Sequence, residues 1–430
     1  MKKKNNNLLY DVHETPPMGK RFILAFQHVF AMFGATILVP ITVNKLAGGN
    51  ILSVPVTLFA SGMGTLIYIL CTKGKSPVYL GSSFAFITPM VLAYAKSGQP
   101  GVLIGIMGVG LFYVLVALIV HFTGKEWLDK VLSPIVVGPM IMIIGLSLAP
   151  TAVSSIGIAE GSVLNWKNIV VAVVTFLVTA IIALRGKKFL RVIPFLIGIL
   201  TGYILSVCLG IVDFTPVKEA AFFSVPKFVV PFASYKPNFR GLLTILPVAL
   251  VSIAEHVGDH TVLGTIINKN LLQDPGLDRT LMGDGLATFA AGLIGGPANT
   301  TYGENTSVVG MTKVASVKVL KLAAIIAMVF AFFGKFTALL ETIPSPVLGG
   351  VSLLLYGFIA VNGLRVLVEN QVDFTNIKNV IVSATMFILG LGGAVITIKS
   401  GDASVALSGM SLAAIIGILL NLLLKEEKAS

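Results

Sequence analysis

The chain has 430 residues, 55% of them hydrophobic and only 12% charged, against about 25% charged residues in an ordinary soluble protein, so it is solvated by lipid and not by water. Its net charge of +12 does not mark a nucleic-acid binder, because the 31 Lys and Arg are scattered over short connections and tails with no aromatic-interleaved patch. Two cysteines, Cys71 and Cys208, sit in or at the end of apolar segments and supply neither a disulfide framework nor a metal cluster, and no cofactor is expected.

Residues 1–21 are basic and polar and run into an apolar segment of full spanning length without a small-residue cleavage site. They read as an attached cytoplasmic tail and not as a signal peptide. Behind them, apolar stretches that can cross a hydrocarbon layer of about 30 Å recur. They predict spans at 22–44, 51–71, 84–95, 101–122, 131–150, 167–184, 192–212, 241–267, 280–296, 304–315, 317–336, 346–363, 377–398 and 404–424. Runs such as 169–184 and 192–209 are apolar on every side, unlike the alternating segments of a β-barrel. Helices satisfy their own backbone in lipid, so the expected fold is an all-α polytopic membrane protein of fourteen transmembrane segments.

Counting crossings from an inside N-terminus places 22 of the 31 Lys and Arg on the cytoplasmic side. They are Lys2, Lys3, Lys4, Lys20, Arg21, Lys73, Lys75, Lys125, Lys130, Arg185, Lys187, Lys188, Arg191, Lys269, Arg279, Lys313, Lys318, Lys321, Arg365, Lys378, Lys425 and Lys428. Four of the other nine lie in the long connection 212–240, which the charge rule discounts. Both termini are expected in the cytoplasm.

The third and tenth segments are too short to span. Each follows a stretch of turn-forming residues, Lys75-Ser-Pro-Val-Tyr-Leu-Gly-Ser-Ser83 and Gly295-Gly-Pro-Ala-Asn-Thr-Thr-Tyr-Gly303. Extended chain at membrane depth is tolerated only where protein buries it or a cavity adjoins it, so both mark a binding site. They take matching positions in two halves of seven spans. Other landmarks align in the same order: Gln27-His28-Val29 with Glu255-His256-Val257, Gly62-x-Gly64 with Gly283-x-Gly285, and Ser133-Pro134 with Ser345-Pro346. With seven spans per half the second enters from the opposite side, which makes a 7+7 inverted repeat, a transporter architecture.

Carboxylates inside spans are functional hypotheses by default. Glu255 and Asp259 lie i,i+4 on one face of the eighth span, and Glu304 opens the short helix of the tenth. No Lys or Arg neighbours them in the eighth span, so a proton is the expected partner, with a structural carboxylate pair as the alternative. At Glu304 the helix N-terminus presents unpaired N–H groups, and Phe84 begins the opposing half-helix. A flat heterocycle fits between: the imide of a pyrimidine offers N–H donors to Glu255 and Glu304 and carbonyls to the backbone, with its ring stacked on Phe84. Phe84 is also an ordinary residue of a membrane interior.

Four stretches carry a resemblance: Gln27-His-Val-Phe-Ala-Met-Phe-Gly-Ala-Thr36, Tyr79-Leu-Gly-Ser-Ser-Phe-Ala-Phe86, Ile253-Ala-Glu-His-Val-Gly258 and Asn299-Thr-Thr-Tyr-Gly-Glu-Asn305. Over nearly its whole length the chain resembles the nucleobase–ascorbate transporter family, in particular its bacterial members that carry uracil. The resemblance implies a core domain of spans 1–4 and 8–11 (22–122 and 241–336) and a gate domain of spans 5–7 and 12–14 (131–212 and 346–424). Two short antiparallel strands from spans three and ten would meet at the substrate. It implies import of uracil with a proton by movement of core against gate, in a bacterial inner membrane and commonly as a homodimer. Carried over by position, Glu255 and Glu304 bind the base, Phe84 packs on it, and the Gly303–Glu304 backbone donates to its carbonyls. Proton coupling would involve Glu255, Asp259 and Glu304, with His28 added by repeat symmetry with His256.

Two departures leave alternatives open. The family signature runs Glu/Gln-Asn-x-Gly, four residues, then Thr-Lys/Arg; Glu304, Asn305, Thr312 and Lys313 fit it, but Ser307 replaces the glycine. Where uracil-carrying members have a histidine in the proton relay, this chain has Asp259 followed by His260, and aspartate there also occurs in purine-type members. A xanthine- or urate-type permease, sodium in place of the proton, and an anion exchanger or channel on the same architecture are the rival readings. A remote one is an intramembrane metallohydrolase, from the partial likeness of His256-Val-Gly-Asp259-His260 to H-x-x-E-H.

Overall fold

The computed structural model describes residues 8–187, 190, 193–400 and 403–424, with the backbone alone at 398–400 and 403–406. Lys2, Lys3, Lys4, Lys188, Arg191, Lys425 and Lys428 of the topology count, and the first residue of the expected seventh span, lie outside the described residues.

Eighteen α-helices and four short strands make up the described chain. The first two spans are α1 (Met18–Ala47) and α2 (Val54–Cys71). The third opens with β1 (Leu80–Ser82) and a 3-10 turn at Phe84–Phe86, then enters α3 (Ile87–Thr123). The third and fourth spans share α3, which is two helices meeting at Gly98, where φ is +64°, a geometry glycine adopts with no Cβ clash. After the short α4 (Glu126–Val131), span five is α5 (Pro134–Ser147), extended by α6 (Ala149–Ile156). Spans six and seven are α7 (Trp166–Arg185) and α8 (Pro194–Cys208), and the long connection holds only α9 (Thr215–Glu219). Span eight begins as α10 (Leu242–Ile245), passes a 3-10 turn around Pro247 and continues as α11 (Ala249–Ile267).

Next come α12 (Leu277–Leu293), the broken span of β2 (Asn299–Thr301) and α13 (Gly303–Thr312), and α14 (Val317–Phe330) with α15 (Gly334–Glu341). The last three spans are α16 (Ser345–Glu369), α17 (Ile377–Leu391) and α18 (Gly409–Leu423). Proline stands in the first turn of α2, α5, α8 and α16, where its missing N–H has no helical partner to lose.

One expectation needs correction. The helices expected over 377–398 and 404–424 are shorter, because β3 (Val395–Ser400) and β4 (Ala403–Ser408) pair antiparallel between them. Gly392 and Gly393 end α17, and the β-branched run Val395-Ile-Thr-Ile398 then favours extended chain, so overall apolarity misled the helix assignment.

Two groups of helices emerge from the packing. In one, α12 lies on α2 and α3 while α14 lies on α1 and α2; in the other, α16 packs on α5, α6, α7 and α8, and α17 on α18 and α5. Glycines allow the closest crossings. A Cβ added to Gly110 would stand 2.6 Å from the Gly285 carbonyl oxygen, and one on Gly285 would stand 2.8 Å from that of Gly110, so α3 and α12 meet backbone to backbone. This accounts for the glycine-rich run of 101–110 as a packing surface.

Candidate functional site

Two half-crossings meet inside the first helix group. Leu80, Gly81 and Ser82 of β1 pair antiparallel with Thr301, Thr300 and Asn299 of β2, and the ladder is extended by Tyr302 N donating to Tyr79 O (3.1 Å) and Ser83 N to Ala298 O (2.9 Å). Side chains from α2 satisfy the rest: Ser61 Oγ donates to Leu80 O at 2.6 Å, and Leu80 N donates to Thr65 Oγ1 at 2.9 Å. Tyr302 closes the other side, its hydroxyl donating to Ser82 O at 3.0 Å and accepting from Thr36 Oγ1 of α1 at 3.2 Å. Extended backbone deep in a helical protein is stable here because its polar groups are paired.

The strand pair leads into Phe84 at one end and into the first turn of α13 at the other. Gly303 and Glu304 open α13, whose first N–H groups have no helical acceptor and carry the positive end of the helix dipole. A Cβ built on Gly303 would meet no atom within 4 Å, so space opens in front of this turn. Phe84, 8% exposed, stands edge-on to Tyr356 of α16 with ring centroids 5.8 Å apart, at the seam between the two helix groups.

From the flank, α11 presents Glu255 and Asp259, both half-buried, toward β2. Thr300 Oγ1 donates to Glu255 Oε2 at 3.4 Å, and Thr301 Oγ1 donates to Asp259 Oδ2 at 2.5 Å. Glu255, Asp259 and Glu304 lie close enough to act on one another electrostatically. Among the described residues no Lys or Arg forms an ion pair with any of the three. Glu255, Asp259, Gly303 and Glu304 are thus brought together, and Phe84 lies at the other end of the strand pair. His28 is buried at 2% exposure beside α13, where Asn305, the residue after Glu304, donates from Nδ2 to its Nδ1 (3.1 Å) and to its carbonyl oxygen (3.1 Å).

The adjoining face of α11 carries a buried network that includes a fourth carboxylate, Asp284 of α12. His256 Nδ1 stands 2.9 Å from Asp284 Oδ2, both side chains fully enclosed. His260 stacks on His256 at 4.0 Å, donates from Nδ1 to the His256 carbonyl at 2.7 Å and meets the Tyr68 hydroxyl at Nε2. Both nitrogens of His260 are therefore engaged, which leaves the metal-ligand reading of His256 and His260 without free donors on one of its two imidazoles. Further along, α11 borders a cavity of about 390 Å³ with His260, Thr261, Gly264, Thr265 and Asn268.

Residue reading alone missed Asp284, Thr300, Thr301 and Tyr356. Asp284 carried a usable signal, being a carboxylate inside a span between the landmark glycines Gly283 and Gly285. The two threonines and Tyr356 carried none, since hydroxyls and aromatic residues are common in membrane helices.

Comparison with known proteins gives four findings. The model of the permease family Xan_ur_permease matches residues 19–399. The chain is 46% identical over 438 residues to the uracil permease of Bacillus subtilis (strain 168), covering 100% of this chain and 98% of that one. It is 43% identical over 421 residues to the uracil permease of Bacillus caldolyticus, covering 97% and 95% of the two. Among solved structures, the transmembrane domain of a cyanobacterium bicarbonate transporter, BicA, superposes with a TM-score of 0.61 at 15% identity, over 96% of this chain and 100% of that one. That likeness is one of fold.

Proposed function

The chain belongs to the permease family Xan_ur_permease, and from that membership and the geometry of the site we propose that it imports uracil together with a proton. It is a multi-pass membrane protein and a transporter, not an enzyme. The observation that carries the proposal is the convergence of Glu255, Asp259 and Glu304 on the space before the first turn of α13. In that space the two ring N–H groups of uracil donate to the carboxylates of Glu255 and Glu304. Its carbonyls accept from the Gly303 and Glu304 N–H groups, and its ring lies against Phe84. The 46% and 43% identical relatives named as uracil permeases support this choice of base over a purine.

Half-buried carboxylates among apolar helices, with threonine hydroxyls and, among the described residues, no cation as partners, are lowest in energy when a proton or a hydrogen-bonding solute accompanies them. Entry of the proton with a neutral base gains about 2.3 kcal/mol per 100 mV of membrane potential, enough to drive accumulation. Residues 22–122 and 241–336 form the substrate-carrying core and 131–212 with 346–424 the gate, an assignment supported by the two packing groups. Both termini face the cytoplasm of a bacterial cell. The cavity beyond Asp259 is then the inward exit, and the proposed cycle moves core against gate.

Uptake of radiolabelled uracil into proteoliposomes tests this, with and without an inward proton gradient and with sodium varied independently. The expected result is gradient-driven accumulation that uracil analogues block and xanthine and hypoxanthine do not. Stronger competition by xanthine would overturn the substrate, and a response to sodium alone would overturn the coupling ion.

A further inference from the structure

The two helices that carry the carboxylates are joined at their C-terminal ends by a segment that precedes all fourteen spans. Leu9 N and Tyr10 N donate to Lys313 O (2.7 and 3.3 Å), Ala315 N donates to Tyr10 O (2.9 Å), and Val317 N donates to Val12 O (3.0 Å). Ser316 Oγ adds a bond to Glu14 O at 2.6 Å. These partners lie at the connection from α13 to α14, whose residues Val314, Ala315 and Ser316 are each 1% exposed with the N-terminal segment in place, so the bonds are shielded from water. Val12 is itself 1% exposed, a side chain pressed into the protein interior. On the other side Asp11 Oδ1 accepts from Lys269 Nζ at 2.8 Å, and Lys269 directly follows Asn268, the left-handed cap of α11.

We propose that residues 8–14 are a strap that sets the spacing of α11 and α13, making Asp11, Val12 and Lys269 positioning residues for the substrate site. The reasoning is geometric. Helix α13 has ten residues, about 15 Å of stiff rod, with Lys313 and the strap at one end and Glu304 at the other. A tilt at the strapped end therefore displaces Glu304 relative to Glu255 and Asp259. Burial pushes the Asp11 carboxyl up, but the Lys269 hydrogen bond and the Val12 N–H outweigh it and hold the group below its ordinary value. The ion pair is thus present at neutral pH and lost only as pH falls through that lowered value, so the strap is a fixed clip.

The inference rests on the reading of Glu255, Asp259 and Glu304 as substrate ligands, and the test separates the two. Full-length Lys269→Ala and Asp11→Asn should each raise the KM for uracil by about fivefold with little change in kcat. The charge exchange Asp11→Lys with Lys269→Asp should restore it. In a background of Cys71→Ser and Cys208→Ser, a disulfide between Tyr10→Cys and Val314→Cys, which face each other across a β-bridge, should form and leave transport within about twofold of the reduced protein. Amide exchange over 303–312 reads the strap without reference to substrate and should rise by about tenfold in the single variants. Unchanged KM and unchanged exchange, or arrest of transport by the disulfide, would overturn the strap while loss of uptake in Glu304→Gln upheld the site. Faster exchange with normal uptake in Glu304→Gln would instead uphold the strap as a clip on α13 and overturn the site.

Discussion

At Glu255 and Glu304 the proposed bonds run from a neutral donor to a carboxylate, a class of interaction worth about 1.5–3 kcal/mol. Glu255→Gln and Glu304→Gln should therefore each weaken uracil binding by roughly 10- to 150-fold while leaving the protein in the membrane. Equilibrium binding to purified variants measures this, and normal affinity in either would remove that residue from the site. The i,i+4 spacing of Glu255 and Asp259 is legible in the sequence as one helix face. Their partners Thr300 and Thr301 are not, because they come from a strand more than forty positions away. Asp284 behaves differently. It is enclosed with His256 at 2.9 Å, and Asp284→Ala would strand a buried imidazole, lowering stability by about 1–3 kcal/mol. A fall in melting temperature in detergent, larger than that of Asp284→Asn, is the expected outcome; equal melting would deny the pair a structural role.

The elements that matter most are the shortest. Strands β1 and β2 are three residues each, and they exist because turn-forming segments cannot continue a helix, whereas neighbouring hydroxyls can satisfy their backbone. That both spans three and ten are broken could be read from their length and that they pair followed from the family resemblance; the register, with Leu80 opposite Thr301, could not be read. Crossings of helices pose the converse case. Gly285→Val should abolish folded protein in the membrane, since its branches would enter the Gly110 carbonyl and the Tyr113 Cβ, 2.8 and 2.7 Å from a Cβ at that position. Gly357→Ala serves as control, because a Cβ there meets no atom within 4 Å. Comparable yields by fluorescence-detected gel filtration would sink the close-crossing argument. The hairpin of β3 and β4 shows where periodicity fails: short apolar runs read alike as strand or helix until a partner strand is known.

For the whole molecule, the question is which surfaces slide. The proposed seam lets α1 of the core touch α8 of the gate, where a Cβ on Gly34 would stand 3.6 Å from the Phe195 Cβ, within the span of a disulfide. With the native cysteines replaced by serine, Gly34→Cys and Phe195→Cys should cross-link on oxidation, stop uptake, and release it on reduction. Uptake that survives full cross-linking would exclude relative motion at this seam. Membrane residence, fourteen spans, their inverted order and the candidate carboxylates were determined by the sequence, because lipid thickness and the energetic cost of buried charge act on any chain through length and composition alone. Only the tertiary structure decided the register in which β1 meets β2, that Asp284 faces His256, that Phe84 abuts Tyr356 at the seam and that residues 8–14 clip α13 to α11. Each is a contact between segments far apart in the chain, and packing selects such contacts from the many that local pattern permits.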